Sequence, residues 1–250
     1  MLLTGRQPAD ELLLKLDENL AGMAQVPGLF ALYDPADTPA CWYLRTIQRT
    51  AQAHGIPVYA RELAAGTDLP QEKLGGLIIL SKTDTKIPLP RHLDVDGTGE
   101  GDFAFLYRGK FGGYHRNTPC TAEACVRLLD YYQVPILGKH VVIIGRSLTV
   151  GRPLAMLLLD RDATVTICHS KTENLSSICR TADILICASG QQGLVDASFV
   201  HEGQTLLNVG GDADEAAVGP VVRNLCPHKG GVGALTAAVL LTHVISPVTD

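Results

Sequence analysis

The sequence predicts an α/β fold with two α/β units, the second of which is a Rossmann-like dinucleotide-binding domain. Three observations support this prediction. Strand-like and helix-like segments alternate along most of the chain. Residues 141–153, VVIIGRSLTVGRP, have the pattern of a buried strand, a glycine turn and a helix start. A second apolar strand follows this helix and ends in the sequence His-Ser-Lys at residues 169–171.

The first α/β unit is predicted from leucine spacing and from short apolar runs. Helices are expected at residues 9–21 and 41–54, and strands at residues 28–33, 57–63 and 77–80. Gly55 ends the second helix, and Gly75-Gly76 precedes the third strand. The resulting order, β-α-β-(α)-β with a possible helix before the third strand, is typical of an α/β domain.

Residues 82–119 break this pattern with Pro, Gly, Asp and Lys. Structureless loops of that length are uncommon and often functional, so we expect this segment to form the rim of a site. The next helix is predicted to begin at Thr121, because Thr121 followed by Glu123 fits an N-cap and its first turn.

The central stretch begins with four β-branched residues, 141–144, which predict a buried parallel strand. Gly145 ends the strand, Gly151 allows a close backbone approach, and Pro153 suits the first turn of a helix. Such a corner directs helix N–H groups and the positive end of the helix dipole towards a phosphate. The spacing G-x5-G differs from the standard G-x-G-x-x-G, so an ordinary strand–helix corner without a ligand is the alternative.

The strand at residues 163–168 favours NADP over NAD as the cofactor. A NAD site usually places Asp or Glu after this strand, where it binds the ribose 2′-OH. This chain has no acid there, and Arg146, Ser170 and Lys171 suit a 2′-phosphate. The candidate cofactor-binding residues are Gly145, Arg146, Ser147, Val150, Gly151, His169, Ser170 and Lys171.

The remaining elements of the second unit complete the Rossmann-like pattern. A helix is expected at residues 173–181, strands at 183–188 and 205–209, and a final helix from about residue 235.

Composition excludes several classes of protein. The 250 residues are 46% hydrophobic and 19% charged, which provides ample core and excludes the disordered class. The net charge of −5 gives no overall basic field, so nucleic acid is not an expected partner. Residues 1–16 carry acids among leucines, unlike a signal peptide, and the apolar run 234–245 is too short to span a bilayer.

Seven cysteines are scattered along the chain, at positions 41, 120, 125, 168, 179, 187 and 226. None forms a C-x-x-C pair, so we expect neither a metal site nor a disulfide framework. A reduced, cytoplasmic setting follows from this usage.

An ordered set of motifs covering nearly the whole chain resembles the methylenetetrahydrofolate dehydrogenase/cyclohydrolase family. The motifs are Tyr43 twelve residues before Gly55, DVDG at 94–97, PCT at 119–121, GRSLTVGRP at 145–153, CHSKT at 168–172, and GGVG at 230–233 followed by Leu235-Thr236. Each motif is modest alone, whereas the ordered set is specific.

The resemblance implies two domains flanking a cleft. Residues 1–118 with 234–250 would form the folate-type substrate domain, to which the final helix returns, and residues 119–233 the NADP-binding domain. The implied reaction is hydride transfer from 5,10-methylenetetrahydrofolate to NADP, which gives 5,10-methenyltetrahydrofolate. A homodimer formed through the nucleotide domains is also implied.

Roles for individual residues follow from the same resemblance. Tyr43 would stack on the folate, Asp96 would hydrogen-bond the pterin, and Arg146 and Ser170 would hold the 2′-phosphate. The candidate catalytic residues are Tyr43, Asp96 and Lys86, and the substrate-binding residues are Tyr43, Asp96, Gly230, Gly231, Val232 and Gly233. Taken singly, Tyr43 could be a core aromatic, Asp96 a turn residue, and the glycines the start of the last helix.

Departures from the family pattern bear on the second activity of its bifunctional members, the hydrolysis of the methenyl product. The family lysine four residues after the tyrosine is Ile47 here, and isoleucine cannot donate, accept or carry charge. The family glutamine before L-P-L-P corresponds to Leu80 or to Lys86, depending on the alignment. Lys82 or Lys86 could supply an ammonium from a loop, or both could be solvated charges.

Three functions therefore remain open at this stage. The leading one is an NADP-dependent dehydrogenase in which Ile47 puts the cyclohydrolase step in question. The others are a catalytically decayed NADP- or folate-binding protein and a dehydrogenase with a changed substrate. A decayed site predicts that Ile47 and Leu80 fill the cleft. A changed substrate predicts that one of four basic residues turns inward: Lys82, Lys86, His228 or Lys229.

Overall fold

Two parallel β-sheets form the framework of the computed structural model, which describes residues 1–65, 68–69, 71–81, 87, 89–98, 106–107 and 118–246. The first sheet has the order β2-β1-β3, with β1 at Gly28–Tyr33, β2 at Val58–Glu62 and β3 at Leu74–Leu80. Helices α1 (Arg6–Ala21) and α2 (Thr38–Ala53) belong to this half, and a 3₁₀ turn, Leu63–Ala65, follows β2.

The second sheet has the order β5-β4-β6-β7-β8, and all its strands are parallel. Its strands are β4 (His140–Ile144), β5 (Thr164–Cys168), β6 (Ile184–Cys187), β7 (Thr205–Asn208) and β8 (Asn224–Cys226). Its helices are α3 (Cys120–Tyr131), α4 (Gly151–Leu159), α5 (Leu175–Cys179) and α6 (Glu215–Val218), with a 3₁₀ turn at Ala197–Phe199. The strand order reverses between β4 and β6, which is where open α/β sheets bind their ligands.

The last helix, α7 (Val232–Ile245), connects the two halves. It follows β8 and packs against α1, α2, α3 and β3. It is apolar on all sides and almost wholly buried, as expected for a helix in the centre of a core. One hydrophobic cluster therefore extends from Leu29 and Ile78 in the first sheet to Ile143 and Ile186 in the second.

The start of α3 differs from the sequence prediction. The N-cap is Pro119 rather than Thr121, and the helix begins at Cys120 without a cap from its own N-cap side chain. The first N–H of the helix instead donates to the Asp96 carboxylate, with 2.8 Å between nitrogen and oxygen. A cap provided by a residue 24 positions earlier cannot be predicted from local spacing.

Three further differences are small. Helix α7 begins at Val232 rather than near residue 235, and the short elements α6 and β8 were not predicted.

Most of the segment 82–119 lies outside the described residues, so its prediction as a site rim stays untested. No helix in the described ranges has the length and apolarity needed to cross a bilayer.

Candidate functional site

The turn after β4 is tight because two glycines lie against each other and against the neighbouring strand. Gly145 has φ +119°, and a Cβ there would lie 2.4 Å from the carbonyl oxygen of Ala188 at the end of β6. A Cβ on Gly151 would lie 2.1 Å from the Gly145 carbonyl oxygen. Only glycine fits both positions, and the turn therefore brings α4 close to the carboxyl end of β4.

Ser147 organises the start of α4. Its hydroxyl accepts from the Val150 N–H at 3.1 Å and its carbonyl accepts from the Arg152 N–H at 3.1 Å. Arg146 and Ser147 are solvent-exposed, and Val150 is half-buried. The turn thus presents a guanidinium and a hydroxyl at the positive end of α4, a combination that suits an anion.

The predicted basic end of β5 lies beside this turn. Strand register places Ile144 opposite Cys168, and the Gly145 N–H donates to the Cys168 carbonyl at 2.9 Å. His169 is half-buried and its Nδ1 accepts from the Lys171 N–H at 3.2 Å, while Ser170 and Lys171 are exposed. Gly145 and Arg146 therefore leave the sheet next to residues 169–171, as the cofactor prediction requires.

Sequence reasoning missed Asp212, which joins the ends of β6 and β7. Asp212 is fully buried, and its carboxylate accepts from the N–H groups of Ser189 and Gln191 and from the Ser189 hydroxyl. A Cβ on Gly210 would lie 2.4 Å from this carboxylate. The Gly-Gly-Asp sequence at residues 210–212, directly after a predicted strand, was the available signal.

His228 lies on the same edge of the second sheet, after β8. Its Nδ1 donates to the Val209 carbonyl at 3.1 Å, and its backbone N–H donates to the Glu215 carboxylate at 2.6 Å. Its ring lies against Gly211, since a Cβ there would be 3.3 Å from a ring carbon of His228. His228 and Lys229 are both exposed, and the His228 ring is held at the ends of β7 and β8.

On the first sheet, Tyr43 and Asp96 are brought into one neighbourhood with Cys120. Tyr43 lies on α2, and Asp96 follows Asp94, which bridges to Leu77 of β3. Among the described residues, the Tyr43 hydroxyl is one of two buried side-chain polar atoms without a hydrogen-bond partner. The Asp96 carboxylate accepts from the Cys120 N–H, so the start of α3 contributes positive potential to it.

Burial is the largest cause of the pKa shifts of Tyr43 and Asp96. Burial raises the pKa of the Tyr43 hydroxyl well above its usual range, and the neighbouring Cys120 and Asp96 raise it further. Burial also raises the pKa of Asp96, although the hydrogen bonds from Cys120 and the charge of His243 oppose that shift. A neutral phenol thus lies near a carboxylate whose ionised form is disfavoured by loss of water.

Ile47, at the family lysine position, and Leu80, one of the two residues that could correspond to the family glutamine, are apolar and buried in the main core cluster. Ile47 on α2 has no exposed surface, and Leu80 at the end of β3 is 6% exposed. Neither residue can take part in proton transfer. The alternative ammonium groups, Lys82 and Lys86, lie outside the described residues, so the catalytic role expected for Lys86 stays a prediction.

The glycine motif at residues 230–233 begins α7. Gly231 is its N-cap, and a Cβ on Gly231 would lie 2.0 Å from the Pro227 carbonyl oxygen. The Gly230 carbonyl accepts from the Gly5 N–H at 2.9 Å, which holds the start of α1 against the motif. Val232 is buried and Gly233 is exposed. These contacts give the motif a structural role, and its substrate-binding role stays a prediction.

This chain is similar to known proteins of one family. Residues 119–249 match the family model described as tetrahydrofolate dehydrogenase/cyclohydrolase, NAD(P)-binding domain. The bifunctional protein FolD of Arthrobacter globiformis is 34% identical over 254 residues, which cover 90% of this chain and 85% of that protein.

Solved structures are similar over almost the entire chain. The NADP and inhibitor complex of N5,N10-methylenetetrahydrofolate dehydrogenase-cyclohydrolase from Trypanosoma brucei has a TM-score of 0.83 at 27% identity and covers 98% of this chain and 95% of its own. The bifunctional 5,10-methylenetetrahydrofolate dehydrogenase/cyclohydrolase from Thermoplasma acidophilum has a TM-score of 0.83 at 25% identity, covering 98% and 97%. The predicted fold class and family are confirmed.

Proposed function

This chain belongs to the tetrahydrofolate dehydrogenase/cyclohydrolase family, and from that premise we propose that it oxidises 5,10-methylenetetrahydrofolate with NADP. The observation that carries the proposal is the meeting of Tyr43 and Asp96 at the first sheet. A buried hydroxyl without a partner near the carboxylate of the half-buried Asp96 suits a flat heteroaromatic ligand that carries N–H donors. Both residues lie outside the segment that the family model matches.

NADP fits the edge of the second sheet. Arg146, Ser170 and Lys171 are exposed at the ends of adjacent strands, and their donors suit a 2′-phosphate. The family model describes an NAD(P)-binding domain, and the Trypanosoma brucei relative was solved with NADP. NADP, when bound, supplies the acceptor for the hydride.

The residues of the first sheet would orient the substrate and stabilise charge. Loss of a hydride from the methylene carbon leaves a cationic methenyl product, and no proton transfer is needed. The Asp96 carboxylate, held by the Cys120 N–H, would accept from a pterin N–H and favour the developing positive charge. Tyr43 would hold the folate rings in register with the nicotinamide.

Hydrolysis of the methenyl product is not expected, because Ile47 and Leu80 offer no donor, acceptor or charge. Purified protein given 5,10-methylenetetrahydrofolate and NADP should therefore accumulate methenyltetrahydrofolate in step with NADPH. The two absorbances can be followed in one reaction, and methenyltetrahydrofolate incubated without protein gives the rate of its spontaneous hydrolysis. NADPH formation without methenyl accumulation would contradict this expectation and point to Lys82 or Lys86.

A second candidate function is NADP binding without turnover. The burial of Ile47 and Leu80 in the main core favours it, since both positions carry polar side chains in the family pattern that the sequence resembles. No reduction of NADP or NAD by a protein that still binds NADP would establish this second function in place of the first.

Homodimer formation through the second sheet is part of the proposal. Strand β5 is an edge strand, and Ile167 on it lines a shallow apolar cavity with Leu106, Pro153 and Met156. Edge strands with exposed apolar residues are suited to pairing with a second copy.

Replacing Ile167 with aspartate should therefore convert the dimer to a monomer, because the charge would have to be buried at the interface. Light scattering coupled to size exclusion measures the mass. Leu14→Asp is the matched control, since Leu14 is 65% exposed on α1, which is not part of the second sheet. A wild-type protein that is monomeric at micromolar concentration would overturn the proposed dimer.

The domain division and compartment are proposed on similar grounds. Helix α7 packs against α3 of the other domain as well, but three of its four partners, α1, α2 and β3, belong to residues 1–118. This supports the assignment of residues 234–250 to the domain formed by residues 1–118, with residues 119–233 as the other domain. The seven cysteines are all free thiols, which supports a reducing, cytoplasmic compartment.

A further inference from the structure

A buried polar cluster lies directly behind Asp96, between α3 and α7. His243 on α7 is 4% exposed, and its Nε2 lies 3.1 Å from a carboxylate oxygen of Glu123 on α3. Glu123 is fully buried, and its other oxygen accepts from Arg127 Nε at 2.6 Å. Charged groups are rarely buried to this extent unless they are paired, as they are here.

Donor and acceptor geometry fixes the orientation of the imidazole. His243 Nδ1 lies 2.9 Å from the Val95 carbonyl oxygen, which can only accept, so Nδ1 carries a proton. The other ring nitrogen, Nε2, contacts one carboxylate oxygen of Glu123, and Arg127 donates to the other oxygen. Glu123 and Arg127 therefore hold the ring with its Nδ1 directed at Val95.

The cluster meets the candidate substrate site at two backbone groups. Val95 is the residue before Asp96 and is fully buried, so its carbonyl bond to His243 holds the backbone from which the Asp96 side chain extends. The Cys120 thiol also donates to the Val95 carbonyl, at 3.3 Å, and the Cys120 N–H donates to the Asp96 carboxylate. Helices α3 and α7 thus restrain both the backbone and the carboxylate of this segment.

We propose that His243 is a positioning residue for the folate end of the site, acting through the Val95 carbonyl on Asp96, with Glu123 and Arg127 holding its ring. The proposal rests on the proposed function, because it takes Asp96 to be the group that binds the pterin. The His243 charge also lowers the pKa of Asp96, which agrees with their proximity.

Two conservative variants separate the contacts of His243. In His243→Asn the amide nitrogen occupies the place of Nδ1 and keeps the donor to Val95. In His243→Gln the amide nitrogen takes the place of Nε2 near Glu123, so no side-chain N–H remains to donate to the Val95 carbonyl. We expect His243→Asn to retain the wild-type KM for 5,10-methylenetetrahydrofolate, and His243→Gln to raise it about tenfold while leaving the KM for NADP unchanged.

Val239→Ala is the packing control, because Val239 is fully buried on the same helix and its side chain makes no hydrogen bond. If turnover is too slow to give KM, the Kd for tetrahydrofolate, measured by calorimetry on the same variants, takes its place. Equal KM values for the Asn and Gln variants, or an Asn variant that does not fold while Val239→Ala does, would overturn the positioning role. Wild-type protein that neither turns over nor binds tetrahydrofolate would instead overturn the proposed function itself.

Discussion

Replacing Asp96 with asparagine is expected to lower kcat/KM for 5,10-methylenetetrahydrofolate by about a hundredfold, the cost of losing a charge-assisted hydrogen bond and the charge that favours a cationic product. The asparagine carbonyl can still accept from the Cys120 N–H, so the start of α3 keeps its cap. The KM for NADP should not change, since Asp96 lies on the first sheet and the proposed NADP site on the second.

Asp96→Asn is expected to leave the stability of the fold unchanged or to raise it, although it lowers activity. Burial raises the pKa of Asp96 in the folded protein, so its ionised form costs stability at pH values above that pKa. The cost begins to fall as the pH drops through the folded pKa, and it is gone below the lower pKa of the unfolded chain, where both states carry the proton. At pH 7 the Asn variant should therefore unfold at the same or a higher temperature than wild type, measured by calorimetry.

A lower unfolding temperature combined with low activity would mean that Asp96 is mainly structural. Unchanged kcat/KM would exclude Asp96 from the site altogether. Asp183→Asn serves as the control, because hydrogen bonding by the His140 N–H lowers the pKa of Asp183 and this carboxylate stabilises the fold at neutral pH. That variant should lose stability and keep its activity.

Much of the fold was predictable from the sequence, because its strands are runs of apolar residues and its longer helices have apolar residues at helical spacing. Residues 28–33 were predicted as a strand and form β1, and the 141–144 run forms the centre of the second sheet. The missed elements, α6 and β8, have four and three residues, which is too short for either period to be recognised.

The candidate site was predictable only where neighbouring strands bring residues together. Parallel order and register place Ile144 beside Cys168, so the residues that follow these two strands, Arg146 and Lys171 among them, leave the same edge of the sheet. The contact between Asp96 and Cys120 spans 24 residues, and that between Glu123 and His243 spans 120. Such contacts depend on how α3 and α7 pack, and no local pattern in the chain encodes that packing.

Replacing Arg146 with alanine is expected to lower kcat/KM for NADP by about a hundredfold, since one guanidinium supplies paired donors to the 2′-phosphate. The kcat/KM for NAD should change by less than about threefold, because NAD has no phosphate on its ribose 2′-oxygen. Lys171→Ala should have a smaller effect, of about tenfold, since an ammonium acts as a point charge. Initial rates measured with each dinucleotide at saturating folate give these ratios.

Arg180→Ala is the matched control for the Arg146 variant, because Arg180 is exposed in the same half of the molecule but follows α5, away from the Gly145 turn. It removes the same charge and should leave both dinucleotides unaffected. If Arg146→Ala and Arg180→Ala lower NADP use equally, the effect is one of net charge, and salt should abolish it. If Arg146→Ala alone acts and the loss persists in salt, the guanidinium contacts the 2′-phosphate directly. The turn after β4 would then determine cofactor choice.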